Sequence, residues 1–105
     1  MNGNGKVTEY DNFDDFLFED EYLNGKRNGK GKEYQYGNLK FDGEYLNGLR
    51  NGKGEEYDDF GKLEFEGEYL NGKRNGKGKE YDEDGQLIFE GEYLNGERLN
   101  EKEIE

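Results

Sequence analysis

A block of about 24 residues recurs along this chain, and a repeat of that length constrains the fold more tightly than any local propensity. FEDEYLNGKRNGKGKEY begins at Phe18, FDGEYLNGLRNGKGEEY at Phe41, FEGEYLNGKRNGKGKEY at Phe65 and FEGEYLNGERL at Phe89, so the spacings are 23, 24 and 24 residues. Ahead of Phe18, NGKVTEY from Asn4 to Tyr10 matches NGKGKEY from Asn75 to Tyr81. The chain reads as one domain over 1–105, with a half unit at 1–17 and units starting at 18, 41, 65 and 89. The last unit is degenerate: Asn100 and Lys102 stand where glycines would, and Glu105 where a tyrosine would. A degenerate end suits a stacked array, whose outer edge must be polar, and Glu101, Lys102 and Glu103 would discourage further strand pairing. The cut end of a longer array would read the same way.

Within each unit the apolar residues alternate. Leu63, Phe65, Gly67 and Tyr69 are spaced by two, as are Leu39, Phe41, Gly43 and Tyr45, and Leu87, Phe89, Gly91 and Tyr93. Period two places each set on one face of a β-strand, with Asp42, Glu44, Glu66, Glu68, Glu90 and Glu92 on the other. Phe16, Phe18 and Tyr22 keep the pattern in the first unit, where Asp20 takes the glycine place. The strand is followed by Asn-Gly-x-Arg-Asn-Gly, whose Asn and Gly tolerate the positive φ of tight hairpin connections, so the chain reverses there. Gly76 to Tyr81 then reads as the return strand, and its glycines leave room for neighbouring rings to lie over backbone. A second turn is expected at Asp82-Glu83-Asp84-Gly85 and Asp58-Asp59-Phe60-Gly61, with Gly37 and Asp14 in the same role in earlier units.

Only 29% of the residues are hydrophobic and 40% are charged, which taken alone leans toward disorder. Nine Tyr and seven Phe argue the other way, because each buried ring removes a large area from water. With no Cys, His or Trp, thiol metal sites, disulfides and imidazole catalysis drop out. No apolar stretch approaches the roughly 18 residues that span a bilayer, and Met1 is followed by Asn and Gly where a signal region would be basic and then apolar; a cytoplasmic location is the expectation. The formal charge of -12 repels nucleic acid and anionic lipid at long range and favours basic partners.

The run Y/F-x-G-x-Y-x-x-G-x-x-x-G-x-G, present as Phe65, Gly67, Tyr69, Gly72, Gly76 and Gly78 and again as Phe41, Gly43, Tyr45, Gly48, Gly52 and Gly54, resembles the MORN (membrane occupation and recognition nexus) motif. Tyr stands where that motif often has Trp, and Tyr-Asp-Glu-Asp-Gly-Gln-Leu also looks like the MORN-related repeats of a bacterial antitoxin family. The resemblance implies an all-β fold: a single elongated, twisted antiparallel meander of about four and a half hairpin repeats, with an aromatic groove along one face. It also implies scaffolding, dimerisation or tethering near membranes.

Three other patterns have plainer explanations. Glu80, Asp82, Asp84 and Gly85 imitate the start of an EF-hand loop, but position 12 is Gly91 instead of the closing Glu. Gly29-Lys30-Gly31 and its copies belong to the repeat and match no phosphate-binding string. Pairs such as Glu66 and Glu68 recur along a solvated strand face with no pocket to shift a pKa. No enzyme activity, cofactor or metal is expected.

The expected function is therefore a protein interaction module. Its partner-binding groove would be Phe18, Tyr22, Phe41, Tyr45, Phe65, Tyr69, Phe89 and Tyr93, since one sheet layer leaves rings uncovered. Lys26, Arg27, Lys30, Arg50, Lys53, Lys73, Arg74 and Lys77 would form a basic stripe along one margin, a second contact surface for an anionic ligand. The expected partner is another protein with a basic surface or a second copy of the chain; direct nucleic-acid binding is not expected. Two further readings are a tether to anionic lipid through the stripe, opposed by net charge, and an acidic antitoxin-like inhibitor covering a basic, nucleic-acid-handling partner.

Overall fold

The computed structural model describes residues 5–11, 16–23 and 26–99, with side chains described from 26 to 99. The strands are β1 Gly5–Asp11, β2 Phe16–Leu23, β3 Lys26–Gln35, β4 Asn38–Leu46, β5 Leu49–Tyr57, β6 Leu63–Leu70, β7 Lys73–Tyr81, β8 Leu87–Leu94 and β9 Glu97–Leu99. They form one antiparallel sheet in sequence order, and the molecule measures 55 × 26 × 19 Å. Among the described residues the fold is the all-β meander expected from the repeat. Asn4, Asp14 and Asn100 to Glu105, named above, lie outside the described residues, as do the side chains of Phe18 and Tyr22.

In the units starting at 41, 65 and 89 the first Asn-Gly makes the hairpin. Asn47-Gly48, Asn71-Gly72 and Asn95-Gly96 are two-residue loops with positive φ at both positions, the geometry whose twist matches the strands. The glycine N–H of each turn donates to the carbonyl of the preceding unit's arginine, Arg27, Arg50 or Arg74, at 2.8 Å. Hairpin tips are thus tied to their neighbours.

The second Asn-Gly does something else. Gly52 and Gly76 sit inside β5 and β7 at φ 101° and 102°, where the register slips between Gly43 and Tyr45 and between Gly67 and Tyr69. The carboxylates of Glu44 and Glu68 accept the N–H of Lys53 and Lys77 at these bulges, at 3.1 and 2.8 Å. The return strand therefore starts at Lys73 and not at Gly76, because the second Asn-Gly is absorbed as a bulge.

At the opposite margin, Asp58 and Asp82 cap five-residue loops. Each carboxylate accepts two backbone N–H groups, from Phe60 and Lys62 and from Asp84 and Gln86, all at 2.9 Å. Gly61 and Gly85 take the positive φ. The 23-residue spacing falls on the unit with a two-residue loop, Tyr36-Gly37, in place of a five-residue one.

Glycines align across the sheet. Gly31 pairs with Gly43, Gly43 with Gly54, Gly54 with Gly67, Gly67 with Gly78 and Gly78 with Gly91. On one face the rings lie over this row: a Cβ on Gly54 would stand 2.5 Å from Phe41 Cζ and 3.0 Å from Tyr69 Cε1. Phe41 and Phe65 are fully buried, and Tyr45, Tyr69 and Tyr93 nearly so. Phe41 and Phe65 each meet their own unit's tyrosine and the next unit's edge-on, with Phe41 5.7 Å from Tyr45 and 5.2 Å from Tyr69. Among the described rings Phe89 touches Tyr93 alone and is half-buried.

Candidate functional site

The ring-bearing face is closed by arginine. Arg50 Cζ lies 4.0 Å from the centroid of Phe41, Arg74 3.9 Å from Phe65 and Arg98 4.2 Å from Phe89, each a guanidinium stacked on a ring. Each fork also grips a carboxylate two strands back. Arg50 donates to Glu33 at 3.0 and 2.9 Å, Arg74 to Glu56 at 3.0 and 3.0 Å, and Arg98 to Glu80 at 2.9 and 2.9 Å. The hydroxyls of Tyr45, Tyr69 and Tyr93 donate to the same three carboxylates. Burial pushes Glu56 up, but the bonds from Arg74 and Tyr69 outweigh it and hold the carboxyl below its ordinary value. At Glu80 the Arg98 bond is the largest influence, and it too holds the carboxyl low.

This geometry corrects the expected open aromatic groove. Phe41, Tyr45, Phe65, Tyr69 and Tyr93 form the core of the sheet, covered by arginine and carboxylate, because a repeated Arg-Glu clamp supplies the layer that a second sheet would supply in a sandwich. Phe89 packs against that core as a half-buried end member.

The expected basic stripe is divided by strand alternation. Arg27, Arg50 and Arg74 turn toward the rings, Arg27 Cζ lying 6.0 Å from the Tyr45 centroid. Lys30, Lys53 and Lys77 line the opposite face, while Lys26 and Lys73 are exposed beside the hairpin turns. The clamp carboxylates Glu33, Glu56 and Glu80 were not among the expected site residues. Their signal was the Glu that precedes Tyr34, Tyr57 and Tyr81 in every full unit, together with an Arg that never varies beside a position occupied in turn by Lys26, Leu49, Lys73 and Glu97.

The other face carries an open trough of about 760 Å³, with the glycine row as its floor. One wall is a ladder of opposite charges, in which Lys30 pairs with Glu44, Lys53 with Glu68 and Lys77 with Glu92. The other wall is mostly acidic: Asp42 pairs with Glu55, Glu55 with Glu66, Glu66 with Lys79 and Lys79 with Glu90. Tyr57 donates to Glu55 at 2.7 Å and Tyr81 donates to Glu66, so the tyrosines that escape the core brace this wall. The hydrogen bond to Glu66 pushes the Tyr81 hydroxyl up to about 12. Beyond the first wall, Leu46, Leu49, Leu70 and Leu94 stand about half exposed along the hairpin margin.

A single open sheet built by repeating one clamped hairpin is a β-hairpin repeat protein, with interior and surface renewed in every unit. The MORN repeat model matches residues 21–37, 41–59 and 65–87, more than half of the chain, and the chain belongs to the MORN repeat family. No curated protein matches it. Repeats of this family are in general protein or lipid interaction repeats.

Proposed function

We propose that this chain is a non-catalytic interaction module whose contact surface is the glycine-floored trough, with a protein of basic surface as its partner. The observation that carries this reading is the trough itself, which crosses several units on the face opposite the clamped core. Its lining holds seven Asp and Glu against four Lys. The chain as a whole carries -12, so both near and distant fields attract a cation-rich surface. Phe41, Phe65 and the clamped tyrosines act from behind, by fixing the glycine row that makes the floor.

Anionic lipid is the less supported ligand, since Arg50 and Arg74 already hold Glu33 and Glu56 in two-pronged bonds. An inhibitor that covers a basic nucleic-acid-handling protein would use this same surface.

The test is affinity capture from cell extract. Reversing Glu66 and Glu90 together to Lys should abolish capture, whereas reversing Glu64 and Glu83, exposed positions outside the trough, should leave it intact. Capture that survives the first pair and is lost on the second would refute the assignment.

A further inference from the structure

The pitch and width of the trough specify what shape of chain fits it. Residues i−1 and i+1 of one strand form its two walls, which puts their backbones roughly 6.6 Å apart. An α-helix with side chains is about 10–12 Å across and rides on such walls, whereas a single extended chain descends between them. The trough crosses the strands, whose backbone groups pair with one another, so an occupant gains no ladder of main-chain bonds from the floor. A polyproline-II helix suits that condition, because it has no internal hydrogen bonds and its backbone stays solvated.

The spacing agrees. Asp42, Glu66 and Glu90 occupy equivalent places on alternate strands of the acidic wall, about 9.6 Å apart at the usual inter-strand distance. Three residues of polyproline II advance about 9.3 Å, so every third side chain stays in step with these carboxylates to within about 1 Å over two units. The nearest repeat of an α-helix is seven residues, about 10.5 Å, and runs ahead by about 2 Å over the same span. Glu44 and Glu68, on the other wall, already hold backbone N–H groups at the bulges. The acidic wall, where Lys79 is the one lining cation among the described residues against Asp42, Glu55, Glu66 and Glu90, is where an incoming cation adds most, even with Tyr81 donating to Glu66.

Resting on the interaction reading above, we propose that the trough takes an extended, polyproline-II-like segment of another protein with Lys or Arg at every third position, each facing one of Asp42, Glu66 and Glu90. Prolines suit the intervening positions by fixing the extended form before binding.

Two synthetic peptides of equal composition test this against the intact chain by fluorescence anisotropy: four Arg-Pro-Pro triplets, and the same residues with the four arginines contiguous. The periodic peptide should bind at least tenfold more tightly, and Glu66→Gln with Glu90→Gln should erase that preference. Lys79→Ala should preserve it. Equal affinities, or no binding of the periodic peptide, would overturn the proposal. The capture experiment then separates the two readings: capture still lost on the Glu66 and Glu90 reversals leaves the trough as the contact surface for a partner of different shape, and capture indifferent to them removes both.

Discussion

At the scale of single residues, glycine and arginine divide the labour of making a core from one sheet layer. Gly78 shows the constraint: a Cβ there would lie 2.6 Å from Phe65 Cε1 and 2.8 Å from Tyr93 Cε1, closer than any packed carbon. Gly78→Val should therefore lower stability by about 3 kcal/mol, the upper end of overpacking costs. Lys79→Ala, one residue on and facing the trough, should leave the melting temperature nearly unchanged; equal shifts for the two would contradict the facing. Arg74 acts by shape as well as charge, stacking on Phe65 while both nitrogens of its fork hold Glu56. An ammonium cannot lie flat on the ring while gripping both carboxylate oxygens, so Arg74→Lys should cost about 2 kcal/mol in urea unfolding despite conserving charge.

At the scale of the hairpin, the clamp ties each unit to the one before it and gives the sheet its pH dependence. Glu56 and Glu80 hold protons less tightly folded than unfolded, so their contribution is complete above the ordinary carboxylate value of 4.5 and is lost as pH falls through their lowered values. Tyr81 and Tyr93 are raised to about 12, Tyr81 chiefly by its bond to Glu66 and Tyr93 chiefly by burial, and contribute below their ordinary value of 10. Urea midpoints should accordingly be level from about pH 5 to 9, fall below pH 4.5, and fall again between pH 10 and 12. A midpoint that rises on acidification would exclude the clamp.

The hairpins and their facing were legible in the sequence because alternation and Asn-Gly turns are local signals. The clamp was not. Arg74 reads locally as one more cation in a basic cluster, and its partner Glu56 lies 18 residues back, brought beside it only by the register of three strands. The bulges at Gly52 and Gly76 were hidden for a similar reason, since Asn-Gly serves equally for a turn and for a bulge, and only the pairing partner distinguishes the two.

At the scale of the whole molecule, each strand among the described residues pairs only with its chain neighbours, so stability is local and additive along the array. Amide exchange should be slowest in β5, β6 and β7, which surround the buried Phe65 and Tyr69, and fastest in the three-residue β9 beside half-buried Phe89. The two faces divide the work, one closed by clamps and the other, as proposed above, open to a partner. Carboxylate footprinting with a carbodiimide and an amine, in the free protein and in its complex, measures both faces at once. Glu33, Glu56 and Glu80 should resist labelling in both states, while Glu66 and Glu90 should be labelled free and protected when bound. Protection that appears on the clamp carboxylates, with Glu66 and Glu90 labelled equally in both states, would place the partner on the aromatic face and contradict the account.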